Sequence, residues 1–204
     1  MYFKYFTIIS GFVIFIFSSC TNPTREQATS QSDGSGTPVI EESYLRKGGE
    51  ITGTVFKNMS GKLKNAMEVG GVSGAIEYCN LAASPLVDSL SSAHSVSIKR
   101  TSSKLRNPEN APSTLEMAVI KEYLNPDPGG ELPSPKVVID QHQIHYYAPI
   151  FLMDNCLKCH GGVSQDIADA DYTVIKRLYP EDQAVGFKTG ELRGIWSLTF
   201  PRDK

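Results

Sequence analysis

The five residues at positions 156–160 constrain this chain more than any other feature. Cys156-Leu157-Lys158-Cys159-His160 is a complete C-x-x-C-H sequence, the pattern at which c-type haem is attached to protein. Two thiols at this spacing can add across the two vinyl groups of haem to form thioether bonds, and the adjacent histidine can then reach the iron from one face. The motif therefore predicts one covalently bound haem c, attached through Cys156 and Cys159 and ligated by His160.

Three other chemistries also use closely spaced cysteines. A thioredoxin-like redox pair is expected in a βαβ setting, which the surrounding sequence lacks. A zinc site usually has four ligands, often supplied by a second C-x-x-C or a histidine pair, and the sequence offers no such pair. Two-residue spacing also suits a structural disulfide poorly. Haem attachment is therefore the preferred interpretation.

The first twenty residues have the pattern of an export signal. Lys4 precedes an almost wholly apolar run, residues 6–17, which is shorter than the roughly 20 residues of a membrane span. The run ends in Phe17-Ser18-Ser19-Cys20, which resembles the lipobox of bacterial lipoproteins. We therefore predict a lipoprotein signal peptide at residues 1–20 with Cys20 lipidated. An ordinary signal peptide with an incidental cysteine and an uncleaved N-terminal anchor are the alternatives.

Residues 21–40 are predicted to form a flexible tether. They are mostly polar residues, glycine and proline, and such a segment cannot bury enough apolar surface to fold. Anchor, tether and a domain at residues 41–204 together predict an extracytoplasmic protein held by lipid at a bacterial membrane, on the periplasmic side or at the cell surface. This location suits haem attachment, which takes place outside the cytoplasm. The net charge of −2 gives no indication of nucleic acid as a partner.

Apolar periodicity predicts two N-terminal helices in this domain. The first spans residues 41 to about 69, with a weak turn at Gly48-Gly49, and the second spans residues 73 to about 90. The Gly70-Gly71 pair should separate them, and Pro85 should kink the second or mark its boundary. The apolar stripes are Leu45, Thr52, Phe56, Met59, Leu63 and Met67 on the first helix, and Ile76, Cys79, Ala83, Leu86, Val87 and Leu90 on the second.

The rest of the domain is predicted to be mainly strands. Alternating or β-branched segments predict strands at residues 96–101, 136–140, 143–152 and 192–200. A capping box, Ser113 to Glu116, predicts the start of a helix that ends near Leu124, and a further helix is predicted at residues 169–178. Helices followed by antiparallel strands with helical insertions predict an α+β domain.

The second axial position of the iron is open to several side chains. Cys79 is a free thiol in an exported protein, where unpaired thiols are a liability, although inert buried cysteines are common. From its spacing in the sequence alone, Cys79 is preferred as the second ligand over each single competitor, and the competitors remain open. The competitors are His94, His142, His145, Met59, Met67, Met117 and Met153.

Five ordered segments carry a family resemblance. They are Ala75-Ile76-Glu77-Tyr78-Cys79-Asn80, Lys99-Arg100-Thr101-Ser102, residues 105–112, the C-x-x-C-H motif, and Gly186-Phe187-Lys188-Thr189-Gly190-Glu191 with Gly194-Ile195-Trp196-Ser197. Together they resemble the family of c-type haem domains with a PAS-like fold. That family is catalogued as a domain of unknown function and also occurs as the extracytoplasmic input of membrane sensor histidine kinases. The resemblance covers about residues 41–201.

The resemblance implies a PAS-like antiparallel sheet with N-terminal helices and one covalent haem c. It also implies the ligands, because in that family a cysteine from an N-terminal helix opposes the motif histidine; carried over, these are Cys79 and His160. Arg100 and Arg106 are candidate partners of the haem propionates, since arginine suits carboxylates bidentately. A structural or solvated arginine is the alternative for both. Trp196 is predicted to belong to the core.

The predicted ligands favour a sensor. Two strong ligands leave no vacant iron position, which argues against a peroxidase or oxygenase, so no enzyme activity is expected. A thiolate stabilises ferric iron and predicts a low reduction potential. If reduction loosens or protonates Cys79, a small gas such as CO or NO can bind, and the protein becomes a redox or gas sensor. Since the 204 residues include no kinase module, a signalling partner is expected; the alternative is a low-potential electron-transfer cytochrome with a redox partner.

Overall fold

The computed structural model describes residues 36–126, 129 and 132–201. The predicted signal peptide, Cys20 and residues 21–35 of the predicted tether lie outside the described residues, and so do residues 202–204. Within the described part of the chain, no helix has the length and apolar composition needed to cross a membrane.

Helix α1 (Gly36–His94) is folded into two antiparallel halves at Gly71. Gly71 has a left-handed φ of 65° and a ψ of −161°, a conformation that glycine adopts without steric cost. A methyl group on Gly74 would lie 3.4 Å from the carbonyl oxygen of Ala66, whereas eight residues of straight helix span about 12 Å. The chain therefore reverses direction, and the break predicted at Gly70-Gly71 is confirmed.

The first half of α1 differs from the prediction in two ways. It begins at Gly36, inside the segment predicted as a tether, and it stays helical through Gly48 and Gly49. A methyl group on Gly48 would overlap the ring of Tyr146. Glycine at this position therefore lets the helix approach the sheet closely, which is a tertiary reason that local propensity does not reveal.

Burial along α1 corrects one position of the first predicted stripe, in which Thr52 and Met59 are buried as predicted, and confirms the second stripe. Val55 is completely buried, whereas Phe56, predicted on the buried face, is 48% exposed. Ile76, Ala83 and Val87 of the second half are buried as predicted, with Cys79, Leu86 and Leu90 half-buried on the same face. The helix continues through Pro85, so the boundary that was one of the two predictions for this residue does not form, and the predicted kink there stays a prediction.

The sheet has four antiparallel strands in the order β1-β4-β3-β2. Their bounds are β1 (Ser97–Thr101), β2 (Lys136–Ile139), β3 (Gln143–Phe151) and β4 (Leu192–Pro201). The four predicted strands are thereby confirmed with small shifts at their ends. The predicted α+β class, with N-terminal helices and an antiparallel sheet, is confirmed as well.

Helices cover both faces of the sheet. Both halves of α1 pack on one face, where Trp196 is buried as predicted. Helix α2 (Thr114–Leu124) packs on the other face against Tyr147 and Ile195. The predicted capping box is formed, because Ser113 and Glu116 exchange hydrogen bonds between side chain and backbone.

The chain that follows β3 places the motif beside α1. A 3₁₀ turn (Asp154–Cys156) leads into the single-turn helix α3 (Leu157–His160), and α4 (Asp169–Leu178) follows. Ile76 of α1 packs with Ile167 and Ile175, in a cluster that Cys159 and Tyr179 border. The second half of α1 is therefore held next to the C-x-x-C-H segment.

Candidate haem site

The C-x-x-C-H segment is held by the loop at residues 182–187. The backbone N–H of Gly186 donates to the carbonyl oxygen of Gly161 at 2.7 Å, and that of Phe187 donates to the carbonyl oxygen of His160 at 3.0 Å. Cys156, Cys159 and His160 are all half-buried. The loop fixes the backbone of the motif and leaves its side chains partly accessible.

His160 is oriented as a metal ligand would be. Its Nδ1 lies 2.8 Å from the carbonyl oxygen of Ala184. Since a carbonyl oxygen can only accept a hydrogen bond, Nδ1 must be the donor. The proton is thereby assigned to Nδ1, and the lone pair of Nε2 is left for a metal. Burial, with Arg106 and Arg193 nearby, holds the pKa of His160 well below its usual range. The imidazole is therefore neutral, which is the form that ligates iron.

The cysteines of the motif do not have the properties of a thioredoxin-like pair. Burial raises the pKa of Cys159 to about 11, whereas redox-active cysteines have a lowered pKa. The segment also follows β3 of an antiparallel sheet instead of joining parallel strands. Cys156 and Cys159 are not joined in a disulfide.

Cys79 lies in the same neighbourhood as the motif, although it is distant in sequence. It is half-buried on α1 between Ile76 and Ala83, and the cluster around Ile76 is bordered by Cys159. Burial raises the pKa of Cys79, and the positive charges of Arg100 and Arg106 oppose that rise. A charge on Cys79 in turn raises the pKa of Cys159. The fold thus brings together the two segments that sequence reasoning selected as ligands.

The histidines among the other candidates for the second axial ligand are accounted for elsewhere. Both ring nitrogens of His145 have partners, since Nδ1 lies 3.2 Å from the Thr199 hydroxyl and Nε2 lies 3.1 Å from the Asp140 carboxylate. His94 and His142 are exposed.

The methionine candidates are also distributed over the fold. Met59 is buried between α1 and the sheet. Met117 lies on α2, on the opposite face of the sheet, and Met67 lies near the reversal of α1. Met153 precedes the motif but is 52% exposed.

Arg106 is bound to the motif by its own hydrogen bonds. Its Nε and Nη2 bind the two carboxylate oxygens of Asp182 at 3.1 and 3.2 Å. Nη2 also donates to the carbonyl oxygens of Cys159 at 2.6 Å and Ala184 at 3.2 Å. These contacts give Arg106 a positioning role toward His160, and its predicted contact with a propionate stays a prediction.

Arg100 keeps its charge available. Its guanidinium lies 5.8 Å from the centre of the Trp196 ring. Within the described residues it forms no ion pair, and its charge acts on Cys79 and Tyr179. Its predicted contact with a haem propionate stays a prediction.

Sequence reasoning missed three side chains of this site. The Asp182 side chain is fully buried beneath Arg106. Phe187 lies edge-on to the His160 ring with centroids 6.4 Å apart, and Arg193 is half-buried nearby. The signal for Arg193 was present as Leu192-Arg193-Gly194, since a charge and a glycine inside an apolar strand indicate a bulge. Phe187 stands in a segment that carries the family resemblance, although no role was predicted for it, and Asp182 carries no local signal.

The residues present fit a c-type haem. Two thiols stand at thioether spacing, a neutral imidazole offers Nε2, and a further thiol lies in the same neighbourhood. Arg100, Arg106 and Arg193 lie near them. Asp182 supplies one carboxylate, which pairs with Arg106. The surplus positive charge suits the two carboxylates that a haem carries.

Comparison with known proteins identifies the family of this chain. Residues 24–201 match the sequence profile of the Tll0287-like family, described as Tll0287. The chain belongs to the Tll0287-like family. The resemblance drawn from the five sequence segments is thereby confirmed. No curated protein matches the chain.

A solved structure of this family shares the fold. It is the crystal structure of the cyanobacterial heme-protein Tll0287, which is 23% identical to this chain and superposes with a TM-score of 0.57. The match covers 78% of this chain and 97% of that one. At this identity the likeness establishes the α+β fold alone. The description as a heme-protein belongs to that other protein.

Proposed function

We propose that this chain is an extracytoplasmic, membrane-anchored c-type haem protein that senses redox state or a small gas. Cys156 and Cys159 would hold one haem covalently, and His160 and Cys79 would ligate its iron. Haem supplies a redox-active iron that can bind a small gas. The observation that carries the proposal is the convergence of Cys79 on α1 with the C-x-x-C-H segment, joined by the cluster around Ile76.

His160 is suited to be the permanent ligand. Its Nδ1–H is fixed on Ala184, and its ring is packed edge-on to Phe187. Both contacts restrict rotation of the imidazole, so that Nε2 keeps one direction. A ligand held in this way stays bound when the charge of the iron changes.

Cys79 is suited to be the exchangeable ligand. Burial disfavours its thiolate, whereas Arg100 and Arg106 favour it, so its charge depends on the balance of its surroundings. The thiolate of Cys79 would be stabilised by a ferric iron and less so by a ferrous one, because reduction would remove one positive charge from beside it. Cys79 is therefore the ligand expected to loosen on reduction and to open a position for CO or NO.

Electron transfer is the second candidate function. Cys156 and Cys159 are half-buried and Lys158 is exposed, so a haem attached to them would lie close to the protein surface. Such a position favours rapid exchange of electrons with a partner. A haem with two fixed ligands in both oxidation states would fulfil this role without any signalling.

Membrane anchoring is supported by the sequence of residues 1–40 alone. A bacterial host that lipidates Cys20 should deliver the chain to the membrane fraction. A Cys20→Ala variant should appear in the soluble extracytoplasmic fraction. Equal amounts of both proteins in the soluble fraction would exclude a lipid anchor.

Titration of the reduced protein with CO separates the two functions. The protein would be matured with haem, and covalent attachment checked by mass and by loss of attachment in a Cys156→Ala, Cys159→Ala variant. A sensor is expected to form a CO adduct on reduction, and Cys79→Ser to form it more readily. A reduced protein that forms no adduct and exchanges electrons rapidly with itself would instead be an electron carrier.

A further inference from the structure

Arg193 occupies a β-bulge at the end of the sheet nearest the motif. Ile150 of β3 pairs with Gly194 of β4, and Phe151 pairs with Leu192, so Arg193 has no partner across the ladder. A bulge of this kind redirects the side chain of its extra residue. A methyl group on Gly194 would overlap the carbonyl group of Thr101, so glycine allows β1 to stay close at this point.

The redirected side chain lies beside the predicted iron ligand. The Arg193 guanidinium is 5.6 Å from the centre of the Phe187 ring, and that ring packs edge-on against His160. Nη1 donates to the carbonyl oxygen of Lys104 at 3.0 Å. Nε is buried and has no hydrogen-bond partner. One buried donor of Arg193 therefore lacks an acceptor next to the haem site.

The charge of Arg193 is also uncompensated. Burial, with Arg106 and Arg100 nearby, lowers the pKa of Arg193 to about 10. Asp182 opposes this lowering, but its two carboxylate oxygens are bound by Arg106. Within the described part of the chain, neither Arg193 nor Arg100 forms an ion pair. Folding thus brings two guanidinium groups without ion-pair partners close enough to act on each other and on His160.

A bound carboxylate would satisfy both requirements. A buried charge without a partner is costly, and the planar guanidinium matches a carboxylate through parallel hydrogen bonds. We propose that Arg193, acting with Arg100, binds a propionate group of the haem. Arg193 is proposed in addition to Arg106, whose Nε and Nη2 are already bound to protein acceptors. This inference rests on the proposed function, because it requires haem at the C-x-x-C-H motif.

Infrared spectroscopy of the haem-loaded protein tests the inference. The haem would carry ¹³C in its propionate carboxyl groups, and difference spectra between the two oxidation states would be recorded for wild type, Arg193→Met and Arg193→Lys. Arg193→Met is expected to shift the labelled carboxylate bands. It should also lower the reduction potential, because loss of a nearby cation destabilises the reduced form. Arg193→Lys keeps the charge, so it should shift the bands while changing the potential less.

Two controls make the outcomes decisive. Arg46→Met removes an exposed cation elsewhere on α1 and should change neither the bands nor the potential, since exposed charges are screened. If the Arg193 variants retain haem and leave the labelled bands unchanged, Arg193 does not bind a propionate. If added acetate shifts the potential of wild type but not of Arg193→Met, with the bands again unchanged, the donor binds a solution anion and the inference is overturned.

Failure of this inference is distinguishable from failure of the proposed function. Absence of covalent haem in the wild-type protein would overturn both. Haem that is attached, shows ligation by His160 and Cys79, and has propionate bands insensitive to Arg193 would overturn the inference alone. Arg100→Met supplies an independent variant, which is expected to shift the same bands.

Discussion

Arg106 and His160 donate to the same acceptor, the carbonyl oxygen of Ala184. The distances are 3.2 Å from Arg106 Nη2 and 2.8 Å from His160 Nδ1. Asp182 completes the arrangement, since it binds Arg106 through both carboxylate oxygens and accepts from the backbone N–H of Ala184 at 2.9 Å. The orientation of the predicted iron ligand thus depends on a buried ion pair.

Replacement of Asp182 by asparagine should destabilise the protein strongly. The change leaves Arg106 without its counter-charge, and breaking one partner of a buried pair costs about 3 kcal/mol in the free energy of unfolding. Urea denaturation would measure the loss. Glu77→Gln is the matched control, because Glu77 and Arg177 form an exposed ion pair with side chains 52% and 61% exposed, and its loss should cost less than about 1 kcal/mol. Equal effects of the two changes would contradict the structural role of Asp182.

Replacement of the two members of this ion pair should shift the reduction potential in opposite directions. Arg106→Met removes a cation and strengthens the bond from His160 to Ala184, and both changes favour ferric iron and lower the potential. Asp182→Asn removes an anion and should raise the potential. Spectroelectrochemical titration of the haem-loaded variants checks the prediction. Shifts in the same direction would indicate general loosening of the site in place of specific electrostatic control.

The close approach of α1 to the sheet predicts that alanine substitutions at two glycines of this helix change the stability of the protein in opposite directions. Gly48→Ala should destabilise the fold by about 1–3 kcal/mol, because the added methyl group overlaps Tyr146. Gly53→Ala meets no atom within 4 Å and should stabilise the helix by about 0.5–1 kcal/mol. Chemical denaturation of both variants measures the contrast, and stabilisation by both would show that α1 does not pack on Tyr146.

The Glu116 carboxylate is expected to stabilise the folded state at neutral pH and to lose this effect in acid. Burial opposes its ionisation, but hydrogen bonds from Lys99 and the backbone of Ser113 outweigh burial and lower the pKa of the carboxyl group. A group whose pKa is lower in the folded state stabilises that state above its unfolded pKa, about 4.3, and the effect disappears as pH falls through the folded pKa.

Thermal unfolding of Glu116→Gln tests this dependence. The variant keeps a hydrogen-bond acceptor for the helix cap but loses the charge that binds Lys99 at 2.9 Å. It should be less stable than wild type by about 1–2 kcal/mol near neutral pH. The two proteins should converge as pH falls below 4, and a constant difference across that range would contradict the account.

Local patterns predicted most of the secondary structure but not the tertiary contacts. The capping box at Ser113 and the glycine pair at Gly70-Gly71 are determined by neighbouring residues, so both were predictable. The exposure of Phe56 and the helical state of Gly48 depend on which face of α1 meets the sheet. Strand order depends on pairing between distant segments, which no local pattern encodes.

The site divides in the same way. Cys156, Cys159 and His160 form a contiguous motif, and Cys79 and Arg100 stand in segments that resemble those of a known family. Arg193 owes its position to a bulge in the register of two strands, and Asp182 owes its position to a contact with Arg106 across the fold. The bulge at Arg193 has a weak local signal in Leu192-Arg193-Gly194, but its contact with the site, like that of Asp182, appears only in the three-dimensional structure.

Electron paramagnetic resonance of the ferric, haem-loaded protein tests the central claim most directly. Wild type should give the low-spin signal of a haem with one thiolate ligand, and Cys79→Ser should lose it while keeping the covalent haem. Ala83→Ser makes a comparable change one turn further along the same face of α1 and should keep the signal. An unchanged spectrum in Cys79→Ser would show that Cys79 does not bind the iron, and would contradict the proposed ligation by His160 and Cys79.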